Sequence, residues 1–186
     1  PDGDDPEAAM LFGTRLHKLL ERFPAIPRAA WPESGRDLLA GGEGGLPDTE
    51  MLARLLDEAA AVLDAPDLAE FFTPPATASV LAEVGLAITL PGIGALRGVI
   101  DRMVVEPGRV TVIDYKTNAT VPPTPEATPE GILRQMAAYR AAIRAIYPGR
   151  EVAAGVIWTS ARRLMWLPDA VLDRAMAALD PVAQAT

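Results

Sequence analysis

Val112-Ile113-Asp114-Tyr115-Lys116-Thr117 decides how this chain folds, read together with Gly98-Val99-Ile100-Asp101-Arg102 upstream of it. Both are short, β-branched runs that end in an acid. Glu106-Pro107-Gly108 between them is a turn signal, so the two runs are expected as neighbouring strands of a hairpin. Side chains of a strand alternate between its faces. Asp114 and Lys116 therefore share one face, Tyr115 takes the other, and Asp101 comes up beside Asp114.

Two carboxylates and a lysine at one spot suit a particular chemistry. Hard divalent cations such as Mg²⁺ and Mn²⁺ prefer oxygen ligands and are commonly held by one or two carboxylates together with water and substrate phosphate. Such an ion polarises a phosphodiester and lowers the pKa of a bound water. A lysine beside the acids stays cationic and can orient the attacking water or offset charge in the transition state. The competing explanation is ordinary ion pairing near a sheet end, Asp101 with Arg102 or Arg97 and Asp114 with Lys116; acid-x-Lys is a short pattern and residue types alone leave both open.

Working outward, residues 78–90 alternate Val80, Val84, Leu86, Ile88 and Leu90 with polar or small residues, and Pro91-Gly92-Ile93-Gly94 is expected to turn this first strand into the Asp101 strand. Glu83 lies inside it, either as an edge charge facing water or as a further metal ligand or water-orienting base. Downstream, four prolines between Asn118 and Pro129 suggest an ordered loop bordering a groove. A strong helix follows from Glu130 to Tyr147, with Ile132, Met136, Tyr139, Ile143 and Ile146 inward and Gln135 stacked with Tyr139. Tyr139 is first of all a core residue, and its side of the helix is also placed to look into the cleft. Val152–Trp158 and Leu164–Leu167 read as strands. A strand, a long helix and a strand imply a crossover, so Val152–Trp158 should run parallel to the Asp114 strand. Pro168–Ala183 closes the chain as a helix with Val171, Leu172, Ala175 and Leu179 inward.

The amino-terminal part is helical in pattern. Phe12, Leu16, Leu19, Leu20 and Phe23 recur at helical spacing until Pro24, and His17 sits on the edge of that stripe, as a packed or capping residue or as a ligand. Residues 24–47 read as a long Pro- and Gly-rich connection with a helical turn or two at Ser34–Ala40. Asp48 caps a second helix carrying Met51, Leu52, Leu55, Leu56, Ala59, Val62 and Leu63, and Pro66–Phe72 forms a short third. The expected organisation is a frayed end over 1–12, then one domain over 13–186 with a helical part (13–77) and a sheet core (78–186). An opening at Pro1 without Met suggests a piece of something longer.

Composition narrows the classes. The chain has 186 residues, 49% of them hydrophobic and 23% charged, which is globular rather than disordered. No run approaches the roughly 18 consecutive apolar residues of a membrane span, and no secretory pattern opens the chain, so no membrane contact is expected and a cytoplasmic setting is the default. With no cysteine, disulfides, thiolate zinc sites and iron–sulfur clusters are excluded from this chain, leaving oxygen atoms and the single histidine as metal ligands. The net charge of −8 weighs against a free-standing nucleic-acid binder. Acids concentrate in residues 1–83, whereas Arg134, Arg140, Arg144, Arg150, Arg162 and Arg163 stand near Glu151 alone, either facing a phosphate backbone or forming a solvated face.

Gly13-Thr14-Arg15-Leu16-His17, Glu83, Gly98-Val99-Ile100-Asp101-Arg102, Asp114-Tyr115-Lys116-Thr117 and Gln135-Met136-Ala137-Ala138-Tyr139, in this order, resemble the RecB-type branch of the PD-(D/E)XK nucleases, and within it the carboxyl-terminal nuclease domain of AddA-type helicase–nuclease subunits. The match runs from about Gly13 to Leu167; no single motif is specific, but the five in order are. The resemblance implies a restriction-endonuclease-like α/β fold, with a mixed central sheet built from an antiparallel meander, a crossover helix and a parallel strand, flanked by helices. It implies that His17, Asp101, Asp114 and the Tyr115 carbonyl hold Mg²⁺, with Mn²⁺ able to substitute. Glu83 would complete the acidic cluster and Lys116 would be the catalytic lysine. Gln135 and Tyr139 would contact DNA, with Arg102 and Thr117 as further contacts. It further implies a deoxyribonuclease in double-strand break repair and recombination, working with the ATP-dependent helicase domains of a parent chain and an AddB-like partner subunit that deliver the DNA. The cysteine cluster of some relatives is missing here, so no iron–sulfur cluster is expected. Two alternatives remain: an inactive nuclease-like module that guides DNA or docks a protein, and a sugar-phosphate hydrolase on a similar sheet.

Overall fold

The computed structural model describes residues 5–90 and 94–178. Five strands form one sheet in the order β1 (Ser79–Leu90), β2 (Gly94–Val105), β3 (Arg109–Lys116), β4 (Glu151–Trp158) and β5 (Arg163–Trp166). β1, β2 and β3 are an antiparallel meander, β3 and β4 are parallel, and β5 returns antiparallel. The expected mixed α/β architecture, with the long helix between the parallel strands, is therefore what the chain adopts. The turn expected over Pro91-Gly92-Ile93 and the helical stretch expected over 179–183, with Leu179, lie outside the described residues.

Two helical layers cover the sheet. On one face pack α1 (Pro6–Arg22), α2 (Trp31–Ala40), α3 (Thr49–Leu63) and α4 (Ala69–Phe72), around Leu16, Leu19, Phe23, Leu55, Ile113 and Tyr115. On the other pack α5 (Glu130–Ile146) and α6 (Asp169–Ala177), around Met136, Ile143, Val110, Val112, Val156 and Leu172. The odd residues of β3 thus serve one core and the even ones the other, as strand alternation requires. Among the described residues, no helix is long and apolar enough to cross a membrane.

The helical part is more extensive than its sequence suggests. Residues 6–12, expected to fray, belong to α1: Asp5 accepts hydrogen bonds from the Glu7 and Ala8 amides, Pro6 occupies the first turn, and Glu7 adds a favourable charge there. The expected connection over 24–47 holds α2, a ten-residue helix with Pro32 in its first turn, where a missing N–H costs nothing. Gly35 inside α2 permits close packing, since a Cβ there would lie 2.8 Å from Leu56 Cδ2 and 3.2 Å from the Phe23 ring. On α5, Ile146 is exposed rather than inward, and Leu133, Ala137, Ala138 and Ala142 fill the buried face. That face is wider than a stripe of large residues because the alanines let the helix sit close to β3 and β4.

One irregularity positions the site. Val80 packs on the α1–α4 side, yet Val84, Leu86 and Ile88, which have the same parity, pack on the α5 side. On β2, Val104 and Ile100 make the same switch. The change of face falls between the pairs Ala82↔Arg102 and Val84↔Ile100, that is, at Glu83 and Asp101. Glu83 has φ 51°, in the left-handed region that non-glycine residues seldom occupy. The β1–β2 hairpin is therefore creased, and both acids sit in the crease.

Candidate active site

The crease coincides with a fork between strands. Pairing of β2 with β3 ends at Arg102↔Ile113, and beyond it β2 continues with β1 alone while β3 continues with β4 as far as Lys116↔Trp158. Asp101 and Asp114 are the next residues on either arm. The Tyr115 amide, which no longer has a β2 carbonyl to bond, donates instead to Asp101 Oδ2 at 2.7 Å. The other Asp101 oxygen lies 3.4 Å from His17 Nδ1 on α1. The hairpin placement of the two acids is thus as expected, and the histidine of the opening helix joins them.

His17, Glu83 and Asp101 each offer a ligand atom within 4.8 Å of the others'. They open into a cleft of about 340 Å³ whose walls include Thr14, Lys18, Glu21 and Val99. Asp114 stands just behind, almost wholly buried, with Oδ2 2.5 Å from Lys116 Nζ but in no hydrogen-bond geometry with any donor. Burial, and then the neighbouring Asp101 charge, push the Asp114 carboxyl up to about 6 against the pull of Lys116. Burial, Asp101 and Glu21 also raise Glu83. Burial opposes the charged form of His17, but its hydrogen bond to Asp101 and the charges of Asp101 and Asp114 outweigh this and raise its pKa. Three acids and an imidazole crowd together, with Lys116 against Asp114 and Lys18 on the cleft wall as the cations beside them. A buried carboxylate oxygen that meets Lys116 but makes no hydrogen bond, beside a His/Glu/Asp group, is a donor set that a divalent cation fits.

The expected DNA-contact residues fare differently. Gln135 is half-buried and its amide donates to the Tyr139 hydroxyl at 3.2 Å, which in turn donates to the Val99 carbonyl at 2.9 Å. Tyr139 itself is buried and closes the back of the fork: a Cβ on Gly98 would lie 2.6 Å from its hydroxyl, so only glycine admits the ring there. It braces α5 against β2 and presents no free face to a ligand. Thr117 is half-buried against α1, its Oγ1 3.3 Å from where a Gly13 Cβ would stand. Arg102 is a correction. It is 2% exposed, its Nε donates to the Tyr115 hydroxyl at 2.6 Å, its Nη2 donates to the Leu20 carbonyl at 2.8 Å, and its guanidinium lies over the Phe72 ring. Face alternation explains this, since Arg102 points opposite to Asp101, into the α1–α4 core. Tyr115 offers its ring to the same cluster, stacked with Phe72 and edge-on to His17.

The arginines near the carboxyl terminus are mostly engaged elsewhere. Arg134 pairs with Glu130, Arg140 with Asp169 and Asp173, and Arg144 with Asp169, while Arg150 donates to the Glu106 carbonyl. Thr14, Lys18 and Glu21 lie outside the expected set. Helical spacing is the signal for them, because Glu21 stands one turn beyond His17 and Lys18 one turn beyond Thr14.

The sequence matches the PD-(D/E)XK nuclease superfamily over residues 1–180, and the chain belongs to that superfamily. Membership carries with it divalent-metal phosphodiester hydrolysis, and the His17, Glu83 and Asp101 group is able to take such an ion. A comparison with curated proteins gave no match.

Proposed function

We propose that this chain is the Mg²⁺-dependent deoxyribonuclease domain of an AddA-type helicase–nuclease, cutting DNA during double-strand break repair and recombination. The observation that carries the reading is the crease: His17, Glu83 and Asp101 meet within 4.8 Å, and the donor-poor Asp114 lies behind them beside Lys116. His17, Asp101 and Asp114 would hold the cation, with the Tyr115 carbonyl as a further ligand. The ion would supply the polarisation of the phosphodiester and the acidification of water.

The chain's own groups account for the rest. Asp101 fixes the geometry, because one oxygen is tied to the Tyr115 amide and the other orients the imidazole. Lys116, held on a strand and 23% exposed, places a positive charge where the attacked phosphate gains negative charge. Glu83 is exposed, has a raised pKa and borders the cleft, which suits a group that accepts the proton of the attacking water. Tyr139 and Gln135 hold the β2 arm of the fork in place from behind.

The charge of −8 fits a domain to which DNA is delivered by helicase domains and an AddB-like partner. The test is cleavage of single-stranded DNA in Mg²⁺ by wild type and Asp114→Ala. Cutting by wild type that Asp114→Ala abolishes is expected. A wild-type protein that cuts nothing, even within its complex, would leave a docking or DNA-guiding module instead.

A further inference from the structure

We propose that Arg162 and Arg163 form a phosphate clamp that holds the nucleic-acid strand alongside the cleft, a step that rests on the phosphodiester reading above. Of the arginines between residues 134 and 163, these two alone among the described residues make no ion pair and no hydrogen bond to a carbonyl; Arg134, Arg140, Arg144 and Arg150 all do. Both are exposed. They stand at the end of the sheet that carries Lys116. The register runs Lys116↔Trp158 across β3 and β4, then Trp158↔Arg163 across β4 and β5. Directly paired residues project to the same face. Arg163 is therefore on the Lys116 side, two strand spacings or about 10 Å away.

The β4–β5 turn is also fixed relative to the site. Thr159 Oγ1 donates to Glu58 at 2.6 Å and lies 3.4 Å from the Lys116 carbonyl, and Ser160 Oγ donates to the Asn118 carbonyl at 2.9 Å. Arg162 adopts φ 52° and ψ 42°, a left-handed conformation held by this turn. Between the two cations, Trp158 is 1% exposed and its indole N–H has no acceptor, so the row contains an unused buried donor as well. Spacing selects the occupant. About 10 Å is roughly three times the axial charge spacing of one B-form strand, too long for one phosphate monoester to span and suited to neighbouring phosphates of a polymer.

The test is binding of a labelled single-stranded oligodeoxynucleotide in Ca²⁺, followed by anisotropy across a sodium chloride series. The variant combines Arg162→Asn, which tolerates the left-handed backbone, with Arg163→Gln. Two lost contacts at roughly 0.7 each should lower the slope of log K against log salt by about 1.4. Arg163→Lys with Arg162 intact should keep most of that slope, and Arg144→Gln should keep all of it. An unchanged slope in the double variant, or no wild-type binding at low salt, overturns the clamp. Wild-type hydrolysis of bis(p-nitrophenyl) phosphate in Mn²⁺ is measured separately. Salt-dependent binding through these arginines without hydrolysis keeps the clamp and removes the nuclease reading; hydrolysis with unchanged binding does the reverse.

Discussion

The two packed faces of the sheet and the fork between its strands treat buried charge in opposite ways. Behind α5, the buried Arg140 is matched by Asp169 at 2.5 Å and by Asp173, with Arg144 on the rim. Inside the α1–α4 core, Arg102 is saturated by a hydroxyl, a carbonyl and an aromatic face. At the fork, by contrast, the buried Asp114 has Lys116 2.5 Å from one oxygen but outside hydrogen-bond geometry, Asp101 crowds it, and Glu83 is held at a left-handed φ. Where charge serves only the fold, the chain pairs it. At the fork it crowds carboxylates and strains the backbone together, which is the arrangement expected where a ligand completes the structure.

The largest effect should come from removing charge at the fork without removing shape. Asp101→Asn retains an oxygen for the Tyr115 amide but weakens the grip on His17 and on a cation. Cleavage should fall by roughly 10²–10⁴-fold, with a circular dichroism spectrum and melting temperature close to wild type. A collapse in stability would instead place Asp101 with the structural charges.

Next comes the opposite experiment on a charge that is fully matched. Arg102→Met keeps most of the volume but strands the Tyr115 hydroxyl and the Leu20 carbonyl, both buried. A loss of about 2–4 kcal/mol in urea unfolding is expected. The salt dependence of DNA binding should not move. A reduced slope would return Arg102 to the DNA-contact residues, contrary to its burial.

This contrast also separates what sequence could and could not disclose. Alternation told that Asp114 and Lys116 share a face and that Tyr115 does not, and turn chemistry placed Asp101 next to them. The same alternation, applied to Arg102, points it away from Asp101 and into the core, so its role was open to reading from position alone. The crease was not legible, because nothing in Ala82-Glu83-Val84 announces a left-handed residue; the switch is imposed by two cores demanding the same parity on opposite faces. Pairing partners of the arginines were hidden for a similar reason. Asp169 and Asp173 are 29 and 33 residues from Arg140, and only the packing of α6 on α5 brings them to it.

Asp114 gives a prediction whose sign depends on which of the two treatments of charge applies. Its carboxyl titrates at about 6 in the folded chain against an ordinary 3.8, so the folded state holds the proton more tightly than the unfolded one. The stability this contributes is complete below pH 3.8 and disappears as the pH rises through 6. At pH 8 in EDTA the ionised side chain is then a net cost of about 1–3 kcal/mol. Asp114→Asn should therefore be more stable than wild type at pH 8, equal to it near pH 4, and inactive. A less stable variant at pH 8 would mean that the Lys116 pair outweighs burial, and Asp114 would belong with the matched charges.

The smallest effect is expected at the rim of the matched region. Arg144 and Asp169 are both well exposed, and their contact is 3.0 Å. Solvent screens such a pair and two long side chains must be ordered to make it, so Arg144→Gln should cost about 0.5 kcal/mol or less. Raising the salt to 1 M should erase even that difference, since the Debye length there is only about 3 Å. Arg140, sharing Asp169 but buried, should keep its contribution at the same salt. Coupling of the two arginines through Asp169 makes a double-mutant cycle the appropriate measurement. If Arg140→Gln proved as salt-sensitive as Arg144→Gln, the pairing behind α5 would be surface chemistry after all, and the matched side of the comparison with the fork would rest on Arg102 alone.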